Sequence, residues 1–352
     1  MSLVDGYEDR AKGVMLGLAC GDALGRPVEF TSPARIEREH GQVTEMLGDG
    51  THRQPPGTIT DDTEMALCIA RSLIEREQFD PEDIGQRFVE WYESGPFDIG
   101  GMTRRTLVRI QNGESWDTAG EAEWESSPEG SNAGNGSVMR CAPLAIAYAE
   151  YPAALIRTSI DSSRITHADP RCTYGCAVLN LTITAAIKNQ ENPLSTALNL
   201  LSEDLATSMQ RTIGVIPDGA SPILEGGLPE DIRIALEPIP DGIDSNHLSN
   251  SGYVVDTLQT ALYDALTAKS AEEAIITAIN RGGDTDTIGA IAGVVAGAKF
   301  GASSLPDRWL AEIDEREELE DMATALAAHP HAKRSERDFS KADDTEFDST
   351  LQ

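Results

Sequence analysis

An all-α fold is predicted by three features of this 352-residue sequence. Apolar residues recur at helical spacing behind residues that favour helix starts. A long stretch near the N-terminus is apolar on most sides, and clear period-two alternation is almost absent. From Ala11 to Leu24, with Val14, Met15 and Leu18, the pattern is that of a buried helix. Met65, Ile69 and Leu73 follow Asp62 at intervals of four. Ile84, Phe88 and Trp91 follow Asp80-Pro81, where Asp is a natural N-cap and Pro suits the first helical position. Further helices are expected near 101–112, 138–150, 170–188, 193–207, 254–267, 271–280, 286–300 and 306–328. Gly289, Gly293 and Gly297 form a four-residue strip that admits a second helix at close range, at a propensity cost of ~1 kcal/mol per glycine. That segment is too short to span a bilayer and reads as a central buried helix.

One compact helical domain is expected over 1–330. Residues 208–251, with several Pro and Gly, read as an irregular surface excursion, and 331–352 as an acidic disordered tail. No repeat at solenoid periods is present. The 40% apolar content is enough for a large core, yet 59 Asp plus Glu stand against 28 Lys plus Arg, for a formal net charge of −31. Such a surface repels phosphate backbones and anionic lipid, which excludes nucleic-acid and membrane partners. Neither a signal peptide nor an apolar run of ~18 residues is found, so a soluble cytoplasmic protein is expected. Only six of the 28 basic residues are lysine, and the acids are spread along the chain. Self-repulsion on this scale is screened at molar salt, where the Debye length is ~3 Å, pointing to a halophile's high-salt cytosol. Five cysteines, Cys20, Cys68, Cys141, Cys172 and Cys176, read as buried free thiols. The oligomeric state is left open, a monomer included.

Four segments carry the chemistry: Gly21-Asp22-Ala23-Leu24-Gly25-Arg26-Pro27-Val28-Glu29-Phe30, Thr60-Asp61-Asp62-Thr63, Gly134-Asn135-Gly136-Ser137 with Arg140, and Gly282-Gly283-Asp284-Thr285-Asp286-Thr287. Asp61 with Asp62, and Asp284 with Asp286, offer hard oxygen donors suited to Mg²⁺ or Mn²⁺, flanked by Thr60 and Thr287. Taken singly, each cluster is also an ordinary helix start. Brought together, four carboxylates repel unless divalent ions, two for preference, neutralise them. The glycines of 134–137 expose N–H groups as an anion cradle, and Ser137 can cap the following helix. Gly100-Gly101 is a weaker signal of the same sort. His167, in Thr166-His167-Ala168-Asp169-Pro170, is placed to meet a phosphate or ribose, while Asp169-Pro170 is a cap and first helical residue. Glu29 is a candidate general base or acid.

With Gly252-Tyr253-Val254-Val255-Asp256-Thr257-Leu258, these pieces occur in the order found in ADP-ribosylglycohydrolases, and the chain resembles that family from about residue 10 to 300. The resemblance implies a compact all-α fold with a binuclear Mg²⁺ or Mn²⁺ site at the base of a cleft. Its implied metal ligands are Thr60, Asp61, Asp62, Asp284, Asp286 and Thr287. Gly134, Asn135, Gly136 and Ser137 would follow the diphosphate of ADP-ribose, His167 would lie near the ribose and diphosphate, and Gly252 and Tyr253 would face the adenosine. Glu29 would be a catalytic carboxylate or gate, with Asp62 or Glu29 activating a water. The implied reaction is metal-dependent hydrolysis at the anomeric carbon, freeing ADP-ribose from a protein side chain or small conjugate. An ADP-ribose-binding module with little turnover and a phosphohydrolase cleaving the diphosphate are the alternatives. Arginine, serine, an acetyl ester and a small molecule all stay open as leaving groups, and so does any link to nitrogenase regulation.

Overall fold

The structure, a computed structural model, describes residues 3–128, 130–201 and 227–328. The proposed tail at 331–352 and residues 208–226 of the proposed excursion lie outside the described residues. Within them are α-helices and short 3₁₀ turns, with no strand beyond three isolated bridges. The helices are α1 (Leu3–Gly25), α2 (Pro33–His40), α3 (Asp61–Arg76), α4 (Pro81–Glu93), α5 (Gly101–Gln111), α6 (Trp116–Ser126), α7 (Ala142–Ala147) and α8 (Pro152–Arg164). They continue with α9 (Pro170–Ile187), α10 (Pro193–Leu200), α11 (Glu230–Leu236), α12 (Val254–Thr267), α13 (Ala271–Ile279), α14 (Thr285–Phe300), α15 (Asp307–Leu310) and α16 (Arg316–Ala328). No described helix is long and apolar enough to cross a membrane.

The centre is an antiparallel pair, α1 against α14. Gly13 faces Gly297, Gly17 faces Gly293, Gly21 faces Gly289 and Gly25 faces Thr285. A Cβ at any of these α1 glycines would land on the opposing backbone, so the glycine strip read on α14 meets a second strip on α1. Both helices are buried on nearly every side, as an all-round apolar helix must be. Met15 and Leu18 are fully buried there, each gaining ~1.5–3 kcal/mol in transfer free energy. Helices α12 and α13 pack on α14, α16 packs on α1, and α3 to α6 stack in succession as the opposite wall. Because the pair is antiparallel, the C-terminal end of α1 lies beside the N-terminal end of α14. That alignment sets the chain after Gly25 next to Asp284 and Asp286.

Several expectations needed correction. The helix expected over 138–150 is Ala142–Ala147, preceded by a turn in which the Arg140 Nη1 donates to the Gly136 carbonyl at 3.0 Å; Pro143 sits in its first turn. Ser137 therefore caps no helix. The span 306–328 is broken into α15 and α16. Between them Ile313 is buried and Gly57 packs on the Glu312 backbone. Residues 227–251 are not wholly irregular, since α11 buries Ile232 and Leu236. Helices α2, α6, α8 and α11 were not anticipated. In α8 the polar Thr158, Ser159, Ser162 and Ser163 are buried along with Leu155, Ile156 and Ile160, so its apolar period is diluted.

Candidate metal centre

The two aspartate clusters meet. Thr60 caps α3, its hydroxyl accepting from the Asp62 N–H at 3.3 Å, which aims the first turn at the cleft. Gly282 and Gly283, at φ of 71° and 77°, turn the chain sharply into Asp284 at the start of α14. The Thr287 hydroxyl then donates to Asp62 Oδ2 at 3.4 Å, joining the two segments. Thr60 Oγ1 donates to the same oxygen at 3.3 Å. Asp62 Oδ1 is buried and has no hydrogen-bond partner.

Burial pushes the carboxyls of Asp61, Asp62 and Asp286 well above the usual range, and neighbouring carboxylates push them further. Asp284 is also raised by burial, moderated by hydrogen bonds from Asp286, Asn135 and Thr287. A bare buried oxygen within a cluster of desolvated carboxylates and hydroxyls is a donor set that fits a hard divalent cation.

Two residues not foreseen in the sequence join this group. His52 Nε2 bonds Glu29 Oε2 and lies 3.6 Å from Asp98 Oδ2. Ligand atoms of Glu29, His52, Asp98 and Asp286 all lie within 4.8 Å of one another. Burial, then Asp98 and Asp284, push the Glu29 carboxyl up to about 9. The loop carrying His52 is held by Arg26, whose guanidinium donates to the carbonyls of Thr58 and Pro55 at 3.1 and 2.9 Å. Asp22 anchors the start of α3, accepting from the backbone N–H of Thr60 and Thr63. Asp22 and Arg26 sit in the first of the four segments, yet neither had been given a role.

The glycine loop forms the adjoining wall. Asn135 Nδ2 donates to Asp284 Oδ2 at 2.7 Å, tying the loop to the acidic cluster, and the Asn135 N–H donates to the Gly252 carbonyl at 3.1 Å. Gly136 lies against the His167 ring, where a Cβ would stand 2.8 Å from Cε1. Arg140 Nη2 donates to Thr166 Oγ1 at 2.6 Å, and that hydroxyl pairs with His167 Nδ1 at 2.7 Å. The Thr166 hydroxyl that accepts from Arg140 can donate its own proton to Nδ1, and in that tautomer the His167 proton is on Nε2, on the side of Gly134 and Gly136. Burial and Arg140 push His167 down to about 3, which keeps the ring neutral.

A cleft of about 970 Å³ unites these parts. Glu29, Asp61, Asp62, Asp284, Asp286, Thr287, Gly134, Asn135, Gly136 and His167 all line it. Thr60 lies fully buried behind Asp62. Ser137 points into the protein, accepting from Ser163 at 2.9 Å, and is not on the cleft lining. Gly252 and Tyr253 back the glycine loop from outside the lining. The Tyr253 hydroxyl accepts from Arg171 at 3.3 Å.

A pH dependence follows. Carboxyls raised in the folded state bind more protons there than when unfolded, so without cation stability falls as pH rises from the ordinary carboxylate range toward 9. A bound cation replaces those protons. Adding Mn²⁺ to metal-stripped protein is expected to raise Tm by an increment that grows between pH 5 and pH 9 as Kd falls, the stabilisation being ~2.7 kcal/mol where free Mn²⁺ stands at a hundredfold excess over Kd. Scanning fluorimetry across that range checks it; a constant or shrinking increment contradicts it.

A family model described as ADP-ribosylglycohydrolase matches residues 3–336. The chain is 34% identical to an ADP-ribosyl-[dinitrogen reductase] glycohydrolase of Rhodospirillum rubrum, over 89% of this chain and 92% of that protein. It is 31% identical to an ADP-ribosylarginine hydrolase of Pseudomonas putida, over 90% of this chain and 78% of the relative. A solved structure titled as an ADP-ribosylglycohydrolase-related protein complex superposes with a TM-score of 0.73 at 33% identity, covering 93% of this chain and 99% of the other.

Proposed function

The chain belongs to the ADP-ribosylglycohydrolase family, and from that premise we propose that it hydrolyses the glycosidic bond of an ADP-ribosyl group, releasing ADP-ribose from a modified protein side chain or a small conjugate. The observation that carries this reading is the Thr287–Asp62 hydrogen bond, which joins both aspartate segments in the cleft that the glycine loop also lines.

Thr60, Asp61, Asp62, Asp284, Asp286 and Thr287 would hold two divalent cations, Mg²⁺ or Mn²⁺. When bound, such ions supply the positive charge that orients ribose hydroxyls and steadies the reacting water. The bare Oδ1 of Asp62, beside hydroxyls already spent on Oδ2, suits that residue to ligation. Glu29 lines the cleft with His52 fixing one of its oxygens. We assign Glu29, ionised once bound cations have replaced the protons of the cluster, or else Asp62, to take the proton of the attacking water as it adds to the anomeric carbon. The bond to the leaving group breaks as the new C–O bond forms, through an oxocarbenium-like transition state. The electron pair leaves with the nitrogen or oxygen of the leaving group, which takes up one proton, so that the water is divided between ADP-ribose and the released group. Gly134, Asn135 and Gly136 receive the diphosphate, and the Nε2–H of neutral His167 donates to it or to the ribose. Ser137 supports the loop from behind, and Gly252 and Tyr253 form its adenosine-side margin. The setting we propose is a high-salt cytosol.

Product analysis tests the reading. With Mn²⁺ and molar KCl, ADP-ribosylated arginine, serine and acetyl conjugates should include one that yields free ADP-ribose. AMP would point to diphosphate cleavage, and ADP-ribose binding without release from any conjugate to a binding module. The conjugate that reacts also assigns the bond as N- or O-glycosidic.

A further inference from the structure

The cleft is short of positive charge. Among the described residues lining it, seven are carboxylates and Arg105 is the single Arg or Lys. We propose that Arg105 is the guanidinium that receives the diphosphate of the ADP-ribosyl group, and that Glu123 holds it in reserve until the ligand arrives. The proposal rests on the reading above that the cleft takes ADP-ribose.

Three observations carry it. Arg105 stands on α5, whose Thr103 hydroxyl would lie 3.2 Å from a Cβ on Gly136, so this helix borders the loop assigned to the diphosphate. The Arg105 side chain is 56% exposed, while its partner Glu123 is 6% exposed. Glu123 also has a second cation beside it. Arg109 Nε lies 3.6 Å from Oε2, and the Ser127 hydroxyl, which donates to the Glu123 carbonyl at 2.9 Å, stands 3.3 Å from Oε1. Arg109 therefore still faces Glu123 when Arg105 turns away. With four of the seven carboxylates assigned to the cations, the dianionic diphosphate on the glycine loop meets the loop's N–H groups and, as the one guanidinium of the described lining, Arg105. The planar guanidinium fork matches two phosphate oxygens, and the half-exposed Arg105 head can turn to them while Glu123 keeps the Arg109 guanidinium beside it.

Calorimetry of Mn²⁺-loaded protein with ADP-ribose separates the outcomes. Arg105→Ala is expected to weaken ADP-ribose about tenfold, and to raise KM by a similar factor with kcat unchanged. Arg105→Lys should recover part of the loss. Glu123→Gln frees the guanidinium and should tighten binding, which a merely structural pair would not do. Unaltered affinity in Arg105→Ala, or weakening in both Arg105→Ala and Glu123→Gln, overturns the proposal. Failure of the wild-type protein to bind ADP-ribose at all would instead remove the reading of the cleft, and this inference with it.

Discussion

Asp62→Asn is expected to lower kcat/KM by ~10³-fold or more while leaving the protein folded. The substitution keeps the shape of a side chain whose Oδ2 accepts from Thr60 and Thr287 at 3.3 and 3.4 Å. An asparagine carbonyl accepts the same two hydroxyls, and its amide nitrogen takes the place of Oδ1, which has no hydrogen-bond partner to lose. What disappears is a negative charge. Because Asp62 sits buried beside Asp61 and Asp284, which push its carboxyl up, removing that charge relieves repulsion in metal-free protein. Apo Tm should therefore rise in the variant, and the further increment on adding Mn²⁺ should shrink. Full turnover in excess Mn²⁺, or a lower apo Tm, would count against a cation-holding role.

The second large effect concerns the central helix pair. Gly293→Ala places a methyl group on the carbonyl oxygen of Gly17, and neither backbone can yield without separating α1 from α14 along their length. Alanine gains ~1 kcal/mol in helix propensity. The steric penalty should exceed this several-fold, with a net loss of ~4 kcal/mol or more and poor recovery of folded protein. Gly6→Ala is the internal control. It lies on the same α1 with nothing within 4 Å of a Cβ, so it should be neutral or slightly stabilising. Equal Tm values for the two variants, by calorimetry, would show that the close approach is not needed.

Much of this was legible before any coordinates. Thr60, Asp80 and Asp169 cap helices through their own side chains, a local interaction that short motifs encode. The glycine strip of α14 was visible, and its partner strip stood in the stretch already read as a buried helix. What escaped was tertiary. His52 and Asp98 sit in loops with no periodicity, and only the fold brings them to Glu29. Ser137 looked like a cap because serine before an apolar run usually is one, but Ser163 engages its hydroxyl instead. Helix α8 hides a polar buried face satisfied by internal bonds such as Ser159 to the Leu155 carbonyl at 2.6 Å. Apolar counting does not register such a face.

The matched rungs of α1 and α14 bring a hazard of their own. A pattern that repeats every four residues fits itself again after sliding by one step of about 6 Å, so it determines how near the two helices lie without saying which rungs coincide. A slide would carry Glu29 away from Asp286 while leaving most of the interlock intact. The correct alignment must then be latched outside the ladder. The Thr285 hydroxyl on the Gly25 carbonyl at 2.8 Å and the Gly283 N–H on the Thr31 carbonyl at 3.0 Å are the latches that do it.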